Sequence, residues 1–281
     1  MTPRQIFNIL VGCPRLVECE ISFGETLPWP SMAGTRNRAE SPVNLQNLQR
    51  PHVTHYDSNL QPFPWYYITT PNLLDLTVAT DPTIVYDGNP EWPEQEFMEF
   101  RNRSGFSLLS LALCFAFEEQ VDEIIEVLEM MPRLRALDLR RTPMCEEGPT
   151  TGISRLLEFL TRHRNRPLSL PDLGHIVIHA TTESVQMLQS RCLGDDVTLS
   201  EVVLLVNGPG RLPSNDAIEI LKRNTRGGIR TIDWELADLD SEESDVASDG
   251  SDGGGDEEES GNVFEGEESR RIWRFDIPHL F

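Results

Sequence analysis

The chain has 281 residues, a formal net charge of −22 and 38% hydrophobic residues. Between Glu235 and Ser269 it carries 15 acidic residues and no basic ones, so the rest of the chain carries only −7. An acidic chain is repelled by phosphate backbones, which argues against nucleic acid as a partner. The apolar run Ile6–Gly12 is too short to cross a membrane and lacks a signal-peptide layout.

The five cysteines form no C-x-x-C motif, and their number is odd. They are Cys13, Cys19, Cys114, Cys145 and Cys192. This pattern predicts neither a disulfide framework nor a zinc site. It favours a reducing compartment, so we expect a cytoplasmic or nuclear protein.

An apolar frame of six residues, L-x-x-L-x-L, recurs along the chain and is clearest at Leu134, Leu137 and Leu139. Residues two apart share one face of a β-strand, so the last two leucines face one core. The other copies are Leu16/Cys19/Ile21, Leu45/Leu48/Arg50, Leu73/Leu76/Val78, Leu108/Leu111/Leu113, Leu173/Ile176/Ile178, Leu199/Val202/Leu204 and Ile229/Ile232/Trp234. Their spacing of 26 to 39 residues is typical of leucine-rich repeats.

Amphipathic segments of helical length stand between the frames, at 6–12, 95–103, 119–131, 153–166, 184–192 and 215–226. Residues 24–44 are rich in Gly, Pro and Ser and predict a loop. Strand and helix in alternation predict an α/β fold, with a parallel sheet on a concave face and helices on a convex face. Residues 1–236 are therefore expected to form an irregular leucine-rich-repeat solenoid of about eight repeats.

The first predicted helix and strand lie at the start of the sequence, without a preceding capping repeat. Because an uncapped edge repeat exposes apolar surface, we expect either another element to cover it or the sequence to be a fragment.

The C-terminal residues divide into two segments of opposite composition. Residues 237–269 are acidic and poor in large apolar residues, which predicts a disordered tail. Residues 270–281, RRIWRFDIPHLF, are basic and aromatic. They predict either a frayed end or a segment that folds back onto an acidic surface of the repeats.

Three motifs resemble the leucine-rich-repeat region of fungal, basidiomycete-type F-box proteins. They are Cys13-Pro14-Arg15-Leu16-Val17-Glu18-Cys19, Pro71-Asn72-Leu73-Leu74-Asp75-Leu76, and residues 100–111, FRNRSGFSLLSL. The resemblance covers about residues 3–236 and implies a receptor that binds a protein substrate for a cullin ubiquitin ligase. The F-box that would dock on the Skp adaptor is expected to be missing, so the adaptor is a partner only if an F-box lies upstream.

Counted from the first residue of each frame, positions three, five and seven are expected to point onto the concave face of the sheet; position seven is the residue directly after the frame. They give the candidate partner-binding residues Glu18, Glu20, Asp75, Thr77, Ser110, Asp138, Arg140, His175, His179, Glu201 and Asp233. In the second copy the same rule selects Asn47, Gln49 and Pro51, and in the eighth it also selects Thr231 and Glu235. The resulting surface has seven carboxylates and one arginine. It predicts a monomeric receptor for a protein with a basic surface, unless the acids are simply solvated.

Arginines follow several predicted helices, for example Arg101, Arg103 and Arg191. They either compensate the negative end of the helix dipole or form a phosphate-binding stripe, and the first interpretation is favoured. No catalytic motif is found, and we expect no metal, no cofactor and no enzyme activity. An alternative class is the acidic leucine-rich-repeat protein that binds histones or other basic proteins.

Overall fold

A computed structural model describes residues 3–23, 42–55, 68–80, 92, 94–114, 120–140, 151–163, 166–192, 199–206, 215–225 and 228–233. By its contacts the chain divides after Ser241, and residues 242–281, the second unit, lie outside the described ranges. The predicted acidic tail and the basic-aromatic segment 270–281 therefore stay predictions.

Helices and strands alternate over much of the described chain. In chain order they are α1 (Pro3–Gly12), β1 (Glu18–Phe23), β2 (Val43–Asn44), β3 (Arg50–His55), β4 (Ile68–Thr69), β5 (Asp75–Thr80), α2 (Glu94–Ser104), β6 (Ser110–Cys114), α3 (Val121–Glu129), β7 (Ala136–Arg140), α4 (Thr151–Leu160), β8 (His175–His179), α5 (Thr182–Cys192), β9 (Glu201–Val206), α6 (Asn215–Asn224) and β10 (Ile229–Asp233).

Eight strands form one parallel sheet in the order β1-β3-β5-β6-β7-β8-β9-β10. Leu137 pairs with Ile176, and Ile176 pairs with Val202, so equivalent frame residues lie side by side. The prediction of an α/β fold with a large parallel sheet is confirmed. The small parallel pair of β2 with β4 was not predicted.

One backbone arrangement recurs at the start of the strands. Two consecutive N–H groups donate to one carbonyl of the preceding strand; for example, Arg135 and Ala136 donate to Leu109 at 2.8 and 3.0 Å. The carbonyls that accept such a pair are those of Val17, Gln49, Leu74, Leu109, Arg135 and Gly174. Each follows a residue that begins a frame, so the recurrence marks where each frame begins.

A tight turn precedes five of the strands. In it the N–H of the first frame residue donates to the carbonyl three residues earlier, as Leu134 does to Met131 at 3.0 Å. The other pairs are Leu16 to Cys13, Leu48 to Leu45, Leu73 to Thr70 and Leu173 to Leu170. Proline is the second turn residue in four of them, where its fixed φ suits the turn and its missing N–H costs nothing.

The core lies between the sheet and the helices. Leu111, Leu137 and Ile176 of the strands are fully buried with Ile124 and Leu188 of the helices in one apolar cluster. Phe97, Phe100 and Phe106 pack against one another in the same cluster, with ring centroids 5.1 to 6.5 Å apart.

In the structure the second frame lies three residues later than the sequence pattern predicts. Cys19 pairs with Pro51, and Ile21 pairs with Val53, so the frame is Leu48/Pro51/Val53. Pro51 is buried in a core position, and the pairing of β3 with β5 begins beyond it, at His52 and Thr77. Proline has no N–H to donate to the ladder, which accounts for this late start.

The eighth frame was also misplaced, in the opposite direction. Ile229 pairs with Val202, and Thr231 pairs with Leu204, so Ile229 is a middle and not a first frame residue. The predicted frame Ile229/Ile232/Trp234 is wrong, because the register puts Thr231, and not Ile232, in the core row next to Leu204. Trp234 lies outside the described residues.

Candidate functional site

Among the described residues, one face of the sheet has no helix packed against it, and we call it the helix-free face. Side chains that point to this face alternate along each strand with side chains that point into the core. The two apolar clusters on this face, Ala79/Ala112/Cys114 and Val177/Val203/Leu205, consist of strand residues only. The buried side chains of the helices instead belong to the core cluster, together with the strand side chains of the other face.

Three rows of side chains cross the helix-free face. The middle row runs through all eight strands as Glu20, His52, Thr77, Ala112, Asp138, Val177, Val203 and Arg230. A second row holds Glu18, Arg50, Asp75, Ser110, Ala136, His175 and Glu201. A third row holds Ser22, Thr54, Ala79, Cys114, Arg140, His179 and Leu205.

The register places ten of the eleven candidate residues on this face and brings them into adjacent strands. The exception is Asp233, which pairs with Val206 in a row that alternates with Arg230. The prediction for Asp233 is therefore wrong, and so is that for Thr231. Asn47 is also misplaced, because it lies in the turn before β3 and donates to the carbonyl of Pro14 at 2.9 Å.

The sequence frame missed Arg50, His52 and Arg230, which do lie on the face. A local signal was present for the second frame, because Gln46-Asn47-Leu48 matches Pro71-Asn72-Leu73. The two asparagines are equivalent in the structure, since Asn72 donates to the carbonyl of Gln46 at 2.8 Å. Aligning the asparagines would have set the second frame correctly.

Strands β1, β3 and β5 carry the excess negative charge of the face, with three carboxylates and one arginine among their described side chains. Arg50 binds Glu18, with Nη2 3.1 Å from Oε2. Burial raises the pKa of Asp75, although Arg50 opposes the rise. Burial also lowers the pKa of His52 despite the nearby carboxylate of Glu20. This end of the face can attract a cationic group.

The centre of the face is lined by small side chains. Ala79 and Ala112 are 5% and 4% exposed, and Cys114 is 8% exposed. Burial, together with the charge of Asp138, raises the pKa of the Cys114 thiol. A thiol that stays protonated is a poor nucleophile, so this cysteine contributes packing rather than chemistry.

Two sets of paired polar side chains lie on the far side of the face. Arg140 holds Asp138 in a two-point contact, with Nε to Oδ1 at 3.0 Å and Nη2 to Oδ2 at 2.8 Å. On the next strands Nδ1 of His175 lies 3.1 Å from Oε2 of Glu201, and Arg230 binds the other oxygen of Glu201. Two-point contacts of this kind fix side-chain geometry as well as charge.

The pKa values of Asp138 and Glu201 are shifted in opposite directions. Burial raises the pKa of Asp138, although Arg140 and His175 favour its charged form. Burial also acts to raise the pKa of Glu201, but Arg230 and His175 outweigh it and hold that pKa below its usual value. The charges of β7 to β10 are thus matched, so the excess negative charge of the face lies in β1, β3 and β5.

The arginines Arg101, Arg103 and Arg191 donate to carbonyl oxygens of neighbouring segments. Nη2 of Arg101 donates to the carbonyl of Met130, the residue after α3, at 2.9 Å. Arg191 is 1% exposed and donates to Leu160, the last residue of α4, at 2.6 Å. Both satisfy the carbonyl end of an adjacent helix rather than that of their own helix.

Among the residues that the structure describes, no group of three or more His, Cys, Asp or Glu side chains could hold a metal ion. None of the described helices has the length and apolar character needed to span a membrane. No family model matches the chain, and neither a curated protein nor a solved structure matches it.

Proposed function

We propose that residues 1–236 are a leucine-rich-repeat solenoid that recognises a protein partner on its helix-free face. The recurrent turns and the paired N–H donors to one carbonyl support the repeat assignment. The observation that carries the function is the face itself, where eight neighbouring strands present three rows of side chains. Sheet surfaces of repeat proteins are their usual binding surfaces.

The face suits a protein better than a small molecule, because its charges and its small side chains are spread over many strands. Glu18, Glu20 and Asp75 supply negative charge at one end. The small residues at the centre are buried, so a partner would meet the side chains around them, including Arg140 of the fixed pair Arg140–Asp138. The proposed partner therefore has a basic surface that meets the strands β1, β3 and β5.

From the resemblance to the leucine-rich-repeat region of fungal F-box proteins, we infer that the chain is the repeat region of a substrate receptor. This receptor would serve a cullin ubiquitin ligase in the cytosol or nucleus. In this role the repeats bind the substrate, and the Skp adaptor binds an F-box where one is present. No chemical step is assigned to the chain itself.

The first experiment tests the face. Ser110 lies at its centre, half-buried on β6, so S110R places a charged and bulky side chain where a partner would dock. The matched control is Q186R on the exposed side of α5. Proteins captured by the wild-type chain and by each variant are compared by quantitative mass spectrometry. A basic protein that S110R loses by about tenfold, and Q186R retains, supports the proposal; equal capture by both variants contradicts it.

The same capture separates the two classes. Recovery of the Skp adaptor with both variants supports the ligase role, because the adaptor would not use the face. Histones recovered in a salt-sensitive manner, and lost when residues 237–269 are removed, support the alternative class of acidic histone-binding protein.

A further inference from the structure

Among the described residues, the strand β1 is paired along one edge only. Its one described neighbour is β3, and the carbonyl of Val17 accepts from Gln49 and Arg50 of that neighbour. Because neighbouring residues of a strand turn their backbone groups to opposite sides, the N–H and C=O of Glu18 and Glu20 point to the open edge. In the strands β3 and β5 to β9 the equivalent N–H groups donate to a preceding strand.

The exposed large apolar side chains of the described chain cluster at this same end. They are Ile9 at 52%, Val11 at 43% and Val17 at 41% exposure, and they belong to α1 and to the residue before β1. At the opposite edge the described side chain Arg230 is polar and ion-paired. A free edge beside exposed apolar groups is a site where another strand can add.

The side chains of β1 show what kind of strand would fit. Glu18 and Glu20 point to the helix-free face and are exposed, and Glu18 pairs with Arg50. Cys19 and Ile21 point to the side of α1 and join the core. A neighbouring strand would therefore meet carboxylates on one face and apolar groups on the other.

We propose that the edge of β1 binds an extended peptide segment whose basic and apolar side chains alternate. Its backbone pairs with Glu18 and Glu20, its basic side chains lie beside their carboxylates, and its apolar side chains cover Val17 and the exposed side of α1. This is strand addition, in which backbone bonds supply affinity and alternate side chains supply specificity. The site shares Glu18 and Glu20 with the proposed binding face, but it goes beyond the proposed function because it uses the backbone edge of β1.

The test uses the full chain and a fluorescent, end-capped peptide, Lys-Val-Lys-Val-Lys, followed by anisotropy at low salt. Two substitutions are made at the edge, V17D and E20K, both at exposed positions. We expect saturable binding that each substitution weakens by about tenfold. The charge control E183K on exposed α5 is expected to bind like the wild type, and so is the face variant S110R.

Two peptide controls separate strand addition from simple charge attraction. The peptide Lys-Lys-Lys-Val-Val has the same composition as the probe, but its basic and apolar residues do not alternate. The second control is Lys-Val-Lys-Val-Lys with both valines N-methylated, which removes their backbone N–H donors. We expect both to bind at least about tenfold more weakly, and we expect the amides of residues 18–20 to exchange more slowly with the intact peptide bound.

Equal binding of the three peptides, or unchanged binding by V17D and E20K, would overturn the proposal. So would a stable dimer of the wild-type chain that V17D converts to monomer, because a second copy would then occupy the edge. Loss of peptide binding in S110R would assign the peptide to the face, and this outcome also rejects the edge site.

Discussion

Arg191 of α5 donates from Nε to the carbonyl oxygen of Leu160, the last residue of α4, at 2.6 Å. The same guanidinium also binds the carbonyls of Ser169 and Leu170, which precede β8. One buried side chain thus joins the end of one helix to the start of the next strand. Burial lowers its pKa to about 10, which leaves it charged at neutral pH.

Replacing Arg191 should be strongly destabilising, because R191M takes a donor from the carbonyls of Leu160, Ser169 and Leu170. Of these, only Leu170 has a further described donor, the N–H of Leu173. We expect a loss of about 3–5 kcal/mol in the free energy of unfolding, measured by urea denaturation. R191K should lose less, because its ammonium keeps the charge but cannot reach all three oxygens. The exposed R223M on α6 is the control, with an expected change within about 0.5 kcal/mol. Equal stability of R191M and R223M would contradict this account.

The stability that Glu201 provides should depend on pH. Its pKa is lowered in the folded protein, where Arg230 and His175 bind the carboxylate. The stabilisation is therefore complete above the unfolded value of about 4.5 and is lost as the pH falls through the folded value.

E201Q should lower the free energy of unfolding by about 1–2 kcal/mol at neutral pH, and the difference should shrink below about pH 4.5. Urea denaturation over this pH range measures it. E219Q is the comparison, because Glu219 forms an exposed pair with Lys222 and should change stability by less than about 0.5 kcal/mol. A difference between wild type and E201Q that stays constant with pH would argue against the ion-pair origin.

The start of α5 is closed by two reciprocal hydrogen bonds. The N–H of Thr181 donates to Oγ of Ser184 at 2.8 Å, and the N–H of Ser184 donates to Oγ1 of Thr181 at 3.1 Å. T181A should cost about 0.5–2 kcal/mol, because it leaves a helix N–H without its acceptor. A double-mutant cycle with S184A measures the coupling, and strictly additive effects would show that the two side chains act separately.

The cysteines should differ in reactivity toward an alkylating reagent. Cys13 is exposed, whereas burial raises the pKa of Cys19 to about 11 and also raises that of Cys114. We expect Cys13 to be labelled first, Cys19 slowly and Cys114 only after denaturation, as followed by mass spectrometry. Early labelling of Cys114 in the native protein would show that the centre of the helix-free face opens.

The sequence pattern predicted most of the sheet because aliphatic residues at fixed spacing are what a buried parallel strand requires. It worked where all three frame positions are large and apolar, as at Leu134, Leu137 and Leu139. It failed where Pro51 occupies a core position, because a proline inside a strand is not part of any apolar template. It also failed at Ile229, because the frame with Ile229 in the middle has polar residues, Arg226 and Thr231, at its other two positions in the sequence.

These misplaced frames had a large effect on the predicted charge of the site. Shifting the second and eighth frames by three residues brings Arg50 and Arg230 onto the helix-free face, where both form ion pairs. The sequence therefore overstated the acidity of the face. Its ion pairs depend on which residues of different strands become neighbours, and that follows from register rather than from local composition.

The strand order follows the order of the chain, so every ladder of the large sheet joins strands that are consecutive within it. Adding or removing one strand and its helix at a chain junction would therefore widen or narrow the molecule without rearranging any other pairing. Paralogues of different length could keep the same seam of hydrogen bonds and still offer partners a broader or a smaller platform.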